Sequence, residues 1–185
     1  WAGRPSRERE RPLNVTIYTD GAARGNPGRG GYGAVLRYTA PSGKEHVLEL
    51  SRGYERTTNN RMELMAAIAG LEALNRPCQV DLYSDSKYLV DAFNQNWIQG
   101  WIKKGWKRGK NEPVKNIDLW KRLLKAKESH QVTFIWVKGH DGHEHRFVFR
   151  AHQRRAVGHA AANLKAIRKV IAPARFCEQA GGRAA

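Results

Sequence analysis

The first third of the chain alternates apolar and polar residues with a period of two, which is typical of β-strands. Residues 15–20, VTIYTD, follow this alternation directly. A glycine-rich turn leads to the strand-like stretch YGAVLRY, and a turn at residues 41–43 leads to KEHVLELSRGY. Three consecutive strands with short links predict an antiparallel meander.

The next part of the chain has longer apolar and amphipathic stretches, which predict helices that alternate with strands. Residues 57–75, TTNNRMELMAAIAGLEALN, are apolar on nearly all sides, as in a buried helix. The pattern then predicts a short strand at Gln79–Ser84, a helix at Ser86–Asn94, an amphipathic helix at Asn116–Lys127 and a fifth strand at Gln131–Val137. This order predicts an α/β fold with a mixed sheet.

The two ends differ in composition from the middle and divide the chain into three parts. Residues 1–12 are charged and contain prolines, so we expect a disordered N-terminal extension. Residues 13–143 are expected to form the folded domain. Residues 144–185 are rich in Arg, His and Ala, and we expect a divergent basic segment that is partly helical or disordered. The first residue is Trp1 rather than Met, which suggests a truncated or processed start.

The charge of the chain narrows the classes of partner. A formal net charge of +16 over 185 residues makes nucleic acid the leading partner, and the alternative is a basic surface that only maintains solubility. No stretch approaches the roughly 18 apolar residues of a membrane span, so no membrane partner is expected.

Cys78 and Cys177 are too few for a disulfide framework, which predicts free thiols and a cytoplasmic location.

Residues 28–33, GRGGYG, have the glycine spacing of a dinucleotide-binding loop. Such a loop must open a helix whose N-terminus faces the pyrophosphate. The stretch that follows here, AVLRYTA, is strand-like. Glycines of a β-hairpin are therefore the better interpretation.

Three acidic residues lie where predicted elements meet. Asp20 and Asp85 each end a strand, and Glu63 is the only acid within residues 61–71. Taken singly, they are explained as a turn residue, an N-cap and a capping box from Asn60 to Glu63. Taken together, carboxylates that meet without a base repel one another unless divalent cations hold them. Clustered carboxylates that bind Mg²⁺ are what two-metal phosphodiester chemistry requires.

Several blocks of the sequence resemble the bacterial type I ribonuclease H family, in the order of that family. They are YTDGAARGNPGRGGYGAVL, TTNNRMELMAAIAGLEAL, LYSDSKYLV, WIKKGWKRGK, PVKNIDLW and WVKGHDGH. The resemblance spans Asn14 to His143, and TTNNRMEL is highly specific. It implies a ribonuclease H-like fold, in which a five-stranded mixed sheet of three antiparallel strands and then parallel strands is flanked by helices.

The resemblance also implies an activity. The chain would be an endonuclease that hydrolyses the RNA strand of an RNA–DNA hybrid by two-metal-ion catalysis, leaving 5′-phosphate and 3′-hydroxyl ends. Asp20, Glu63 and Asp85 match the first three metal-binding carboxylates, with Mg²⁺ as cofactor and Mn²⁺ as a substitute. His140 matches a mobile catalytic histidine that assists proton transfer or product release, and the alternative is an ordinary loop histidine. We expect a monomer.

A substrate-binding surface follows from the same resemblance. Lys87 stands where Gln is common in the family. The positions that resemble contacts to phosphate and sugar groups are Asn26, Thr58, Asn59 and Asn60. Residues 97–110 resemble a basic protrusion, whose cations bind phosphates and whose aromatic rings lie against sugars or bases. Alternatively, the tryptophans pack this segment onto the core. Its candidate ligands are Trp97, Trp101, Lys103, Lys104, Trp106, Lys107 and Arg108.

The sequence departs from the family pattern after Gly142. The family's fourth metal-binding Asp would fall about ten residues beyond His140, where this chain has Arg150, and no Asp follows Asp141. Glu144 is the nearest acidic substitute. The alternative function is therefore a catalytically impaired protein that still binds hybrids. The change in composition near Glu144 suggests a frameshifted or replaced C-terminus.

Two other interpretations of the sequence are less well supported. The first is a zinc site formed by His140, His143 and His145, which the absence of a nearby Cys and the glycine in this loop disfavour. The second is another nuclease of the same fold, such as a transposase or resolvase core. The blocks TTNNRMEL and WKRGK argue against it, whereas a preference for duplex DNA would favour it.

Overall fold

The computed structural model describes residues 12–138. Within these residues, five strands form one mixed sheet: β1 (Leu13–Ala23), β2 (Gly28–Thr39), β3 (Glu45–Thr57), β4 (Cys78–Ser84) and β5 (Gln131–Trp136). The helices are α1 (Asn59–Glu72), α2 (Lys87–Asn94), α3 (Trp97–Lys103) and α4 (Ile117–Lys127), and Gly109–Asn111 forms a short 3₁₀ turn. The predicted N-terminal extension and C-terminal segment lie almost wholly outside the described residues.

The spatial order of the strands is β3-β2-β1-β4-β5. The first three strands pair antiparallel, whereas β4 pairs parallel with both β1 and β5. This is the predicted fold class, three antiparallel strands followed by parallel ones. Because β1, β4 and β5 run in the same direction, their carboxyl ends meet at one edge of the sheet.

Local sequence explains the antiparallel meander. In β1, Val15 and Ile17 are buried against the helices, while the residues between them face the other side of the sheet. The link from β2 to β3 is a tight turn in which the N–H of Gly43 donates to the carbonyl of Ala40 at 2.8 Å. Gly43 has a φ of 80°, a conformation that glycine adopts at little cost. The glycines of residues 28–33 lie inside β2, so the hairpin interpretation was correct.

Helix α1 is the centre of the hydrophobic core, as its apolar composition predicted. It packs across β1 and β2, where Ile17, Leu36 and Ile68 are almost completely buried. Burial of each such side chain contributes about 1.5–3 kcal/mol. Gly70 lets the helix approach the sheet closely, since a Cβ there would stand 2.9 Å from the Ile17 side chain.

The remaining helices pack around Trp120 of α4, which is fully buried. Its ring lies against Tyr88, Phe93 and Trp101, with centroid distances of 5.2, 6.1 and 5.4 Å. Cys78 is a buried free thiol, as predicted, and Cys177 lies outside the described residues. Among residues 12–138, no helix is both long and apolar enough to cross a membrane.

Candidate metal centre and substrate surface

The register of two parallel strands places Asp20 next to Asp85. Tyr18 of β1 pairs with Tyr83 of β4, and their rings stack at 5.1 Å. The Thr19 hydroxyl donates to the Tyr83 carbonyl at 3.0 Å, which ties the two strands together. Each aspartate follows its tyrosine by two residues, on strands that are about 4.8 Å apart.

Gly21 brings Glu63 to this edge of the sheet. A Cβ on Gly21 would lie 2.4 Å from the backbone carbon of Met62 and 2.5 Å from the Glu63 nitrogen, so only glycine allows β1 to touch the first turns of α1. The Gly21 N–H also donates to the Glu63 carboxylate. This role of Gly21 was not predicted from the sequence, in which the glycine indicated only open backbone beside Asp20.

Together these contacts gather the three carboxylates that the sequence singled out. Asp20, Glu63 and Asp85 each offer an oxygen, and these oxygens all lie within 4.8 Å of one another. The simpler explanations of these residues are wrong, because Asp20 lies within β1 rather than in a turn and other side chains cap the helices. Thr58 caps α1 and Ser86, not Asp85, caps α2, each accepting a backbone N–H at 3.3 Å.

Glu63 is the member of the cluster whose ionised form is the least favourable. Its side chain is only 4 % exposed, and burial, followed by the charges of Asp85 and Asp20, raises its pKa to about 9. Its Oε2 atom is buried and has no hydrogen-bond partner among the described residues. An unpartnered carboxylate oxygen beside two accessible aspartates is a ligand set of hard oxygens, which suits Mg²⁺ or Mn²⁺.

A polar cluster with sequence-predicted members surrounds the start of α1. The N–H of Asn59 donates to the Asn26 side chain at 3.0 Å, and the Asn59 side chain accepts from the N–H of Ala23 at 3.4 Å. Thr58 serves as the N-cap, and Asn60 is exposed beside it. The four predicted contact residues therefore lie together, about one helical turn from Glu63.

The basic protrusion, residues 97–110, combines both interpretations of its tryptophans. Trp101 packs on Trp120, and Trp106 packs on Trp101 at 6.5 Å, so these two rings attach the segment to the core. Trp97 remains 38 % exposed. The exposed cations of the protrusion are Lys103, Lys104, Lys107, Arg108 and Lys110.

A family model described as RNase H matches residues 12–154 of the chain. The chain belongs to the ribonuclease H family. It is 73 % identical over 132 residues to ribonuclease H of Lachnoclostridium phytofermentans, covering 71 % of this chain and 84 % of that protein. It is 58 % identical over 129 residues to ribonuclease H of Tolumonas auensis, covering 70 % and 80 %. These relatives support a ribonuclease H enzyme and the cleavage of RNA in RNA–DNA hybrids.

Solved structures agree with this assignment. The crystal structure of LC9-RNase H1, described as a type 1 RNase H with the type 2 active-site motif, superposes with a TM-score of 0.67 at 30 % identity. It covers 76 % of this chain and 70 % of that one. The solution structure of the PFV RNase H domain gives a TM-score of 0.53 at 27 % identity, covering 71 % and 83 %.

A hydrogen-bond network that starts on α1 of this ribonuclease H was not predicted from its sequence. Arg61 makes two bonds to Asp118, at 3.0 and 2.7 Å, and a third to the Asn116 side chain at 3.3 Å. Asn116 donates in turn to the Tyr88 hydroxyl at 3.2 Å. The network joins α1, which carries Glu63, to α4 and α2. Arg61 and Asn116 lie inside the matched blocks, the only sequence signal of their role.

His140 and Arg150, together with the possible zinc ligands His143 and His145, lie outside the described residues. The predictions of a mobile catalytic histidine, a missing fourth carboxylate and a replaced C-terminus therefore stay predictions. Glu144 lies outside the described residues as well.

Proposed function

We propose that this ribonuclease H hydrolyses the RNA strand of RNA–DNA hybrids with divalent cations held by Asp20, Glu63 and Asp85. The observation that carries the proposal is the meeting of three carboxyl oxygens within 4.8 Å, one of them from the buried Glu63, whose pKa is raised by burial and by the two aspartates. Such a cluster is unfavourable without a cation and is suited to bind one. Mg²⁺ is the proposed cofactor, with Mn²⁺ as a substitute.

The bound cations would neutralise charge on the scissile phosphate and favour ionisation of the attacking water, which in a two-metal mechanism leaves 5′-phosphate and 3′-hydroxyl ends. The residues of the chain prepare the site. Asp20 and Asp85 are accessible at the sheet edge, while α1, packed closely against Gly21, holds Glu63 beside them. A bound cation would lower the pKa of Glu63 and favour its ionised form as a ligand, because its positive charge would oppose the effect of the neighbouring carboxylates.

The polar cluster at the start of α1 and the basic protrusion are the proposed substrate surface. Amide and hydroxyl groups near Glu63 can bond both to phosphate and to the 2′-hydroxyls that distinguish RNA from DNA. The exposed cations of the protrusion supply attraction for the backbone of the hybrid. Lys87, exposed two residues after Asp85, adds a cation beside the metal ligands. His140 is proposed to assist proton transfer or product release.

A cleavage assay tests the proposal. End-labelled RNA–DNA hybrid, duplex RNA, single-stranded RNA and duplex DNA are incubated with Mg²⁺, with Mn²⁺ and with EDTA. We expect cleavage of the RNA strand of the hybrid alone, and none in EDTA. Preferential cutting of duplex DNA would instead identify another nuclease of this fold.

The alternative function, a hybrid-binding protein with impaired catalysis, is motivated by Arg150, which stands where the family's fourth carboxylate would fall. Each 1.4 kcal/mol of lost transition-state stabilisation slows cleavage about tenfold. The substitution Arg150→Asp, made together with a family-like acidic loop, is expected to increase the Mg²⁺-dependent rate. Equal rates for both proteins would show that the missing carboxylate does not matter. Binding without cleavage in either metal would favour the alternative.

The salt dependence of binding tests the basic protrusion. Replacing Lys103 and Lys104 with Ala should weaken hybrid binding and lower the slope of log K against log salt by about one unit for each lost phosphate contact. The matched control replaces Lys44 and Lys125 with Ala, which removes the same amount of charge. Lys44 precedes β3 and Lys125 precedes β5, at the opposite end of the sheet from Asp20. A fluorescence-anisotropy titration over a range of salt measures both slopes. Equal slopes in the two variants would mean that the protrusion is not the contact surface.

A further inference from the structure

An exposed tryptophan lies directly beside the carboxylate cluster and has no role in the core. Trp136 is the last residue of β5 and pairs with Ser84, the residue before Asp85. Its indole N–H donates to the backbone carbonyl of Asp85 at 3.2 Å, which fixes the orientation of the ring. The residue is nevertheless 42 % exposed. A large ring held in place at an open edge is available for a function other than packing.

The face of this ring holds a cation. The Lys87 ammonium lies 4.9 Å from the centroid of the Trp136 ring, within the range of a cation–π interaction. Lys87 is the first residue of α2, where a positive charge is opposed by the helix dipole and where no acidic residue compensates it in the first turn. Stability of α2 therefore does not explain a lysine at this position. The position of Lys87 close to Asp85 and against the Trp136 ring suggests instead that this lysine has a function in the site.

We propose that Trp136 is a positioning residue, which holds the Lys87 ammonium in place to contact a backbone phosphate of the bound hybrid beside the metal ligands. The inference rests on the proposed function, since it assigns a contact within the same site. A free lysine side chain loses rotamer freedom when it binds a phosphate, and a ring that already restricts it lowers this entropic cost. The ring leaves the ammonium hydrogens on its open side free to reach an anion.

A double-mutant cycle tests this assignment. Binding of labelled hybrid is measured in EDTA for the wild type and for Lys87→Met, Trp136→Leu and the double variant. Lys87→Met should weaken binding and lower the salt slope by about one unit. Trp136→Leu should weaken binding about threefold to tenfold, in line with a cation–π contact, and the double variant should bind no more weakly than Lys87→Met. Additive losses would overturn the inference, because Trp136 would then act independently of Lys87.

Trp136→Phe separates the ring face from the indole N–H bond. Phenylalanine keeps a face for the ammonium and loses the bond to Asp85, so this variant should recover most of the binding lost in Trp136→Leu. In Mg²⁺, Trp136→Leu should raise KM and leave kcat within about twofold, because uniform binding is lost. A fall in kcat, or no rescue by phenylalanine, would mean that Trp136 supports Asp85 instead, and the inference would be wrong.

Failure of this inference is distinguishable from failure of the proposed function. If the wild type neither binds nor cleaves the hybrid in preference to duplex DNA, the proposed function is wrong and the inference falls with it. If the wild type binds and cleaves the hybrid but the cycle is additive, only the role of Trp136 is wrong.

Discussion

Asp20→Asn and Asp85→Asn are each expected to reduce the rate of hybrid cleavage by about 10³-fold, while hybrid binding persists. Asparagine keeps the shape of the side chain and one ligand oxygen but removes the negative charge that holds a divalent cation. Metal ions contribute several kcal/mol of transition-state stabilisation, and each 1.4 kcal/mol corresponds to a factor of ten. Single-turnover cleavage of labelled hybrid in Mg²⁺ measures the rate, and anisotropy in EDTA measures binding.

Asp81→Asn is the matched control for this prediction. Asp81 is an exposed aspartate on β4, four residues before Asp85 and outside the group of carboxylates that converge. Its substitution changes the net charge in the same way, so the cleavage rate should stay within about twofold of the wild type. Equal losses in all three variants would attribute the effect to overall charge and would contradict the proposed metal centre.

Elements of the fold with a local cause could be predicted from the sequence. The alternation in β1 survives in the structure because one face of that strand is buried, and α1 is helical and buried because it is apolar on nearly all sides. The tight turn at Gly43 could also be predicted, because its conformation depends only on the residues of the turn itself. Asp85 follows the end of β4 as predicted, whereas β1 does not end at Asp20 but continues to Ala23, paired with β2. The two aspartates still meet, because β1 and β4 are parallel neighbours.

Features that depend on contacts between distant residues could not be predicted in this way. The bonds between Arg61 and Asp118 join residues 57 positions apart, and neither residue carries a local pattern that indicates the other. The approach of β1 to α1 depends on the missing side chain of Gly21, which becomes informative only once the helix is placed. The contact of Lys87 with Trp136 likewise needs the register between β4 and β5.

The tryptophans of the basic protrusion show a different limit. A basic composition suggests that each tryptophan of this segment is available to contact nucleic acid. In the structure, however, Trp101 and Trp106 lie against the core cluster around Trp120. Amphipathic rings bury one face whenever a neighbouring apolar surface is near. Sequence reasoning therefore left the division between packing and binding open, and the fold decided it for Trp101 and Trp106.

Glu63→Gln is expected to stabilise the metal-free protein at neutral and alkaline pH. The pKa of Glu63 rises from 4.5 to about 9 on folding, so the folded state retains a proton that the unfolded state has released. Stability is therefore unaffected below about pH 4.5 and falls as the pH rises towards 9, by up to about 1.4 kcal/mol per pH unit. Glutamine has no charge to bury. In EDTA, the variant should exceed the wild type by up to about 4 kcal/mol at pH 7.5 and match it near pH 4.5.

Urea denaturation in EDTA at a series of pH values measures this difference, and the exposed Glu128→Gln serves as the control, with a difference that stays flat. Adding Mg²⁺ should reverse the order of stability at pH 7.5. A cation that binds only the folded state adds about 4.1 kcal/mol at 1,000 times its dissociation constant, and the variant gains less because it has lost one ligand charge. A flat difference between pH 5 and 8 for Glu63→Gln, or a wild type that is the more stable of the two in EDTA at pH 8, would contradict the burial of an uncompensated carboxyl group. An order of stability that Mg²⁺ leaves unchanged would locate the cation at Asp20 and Asp85 alone.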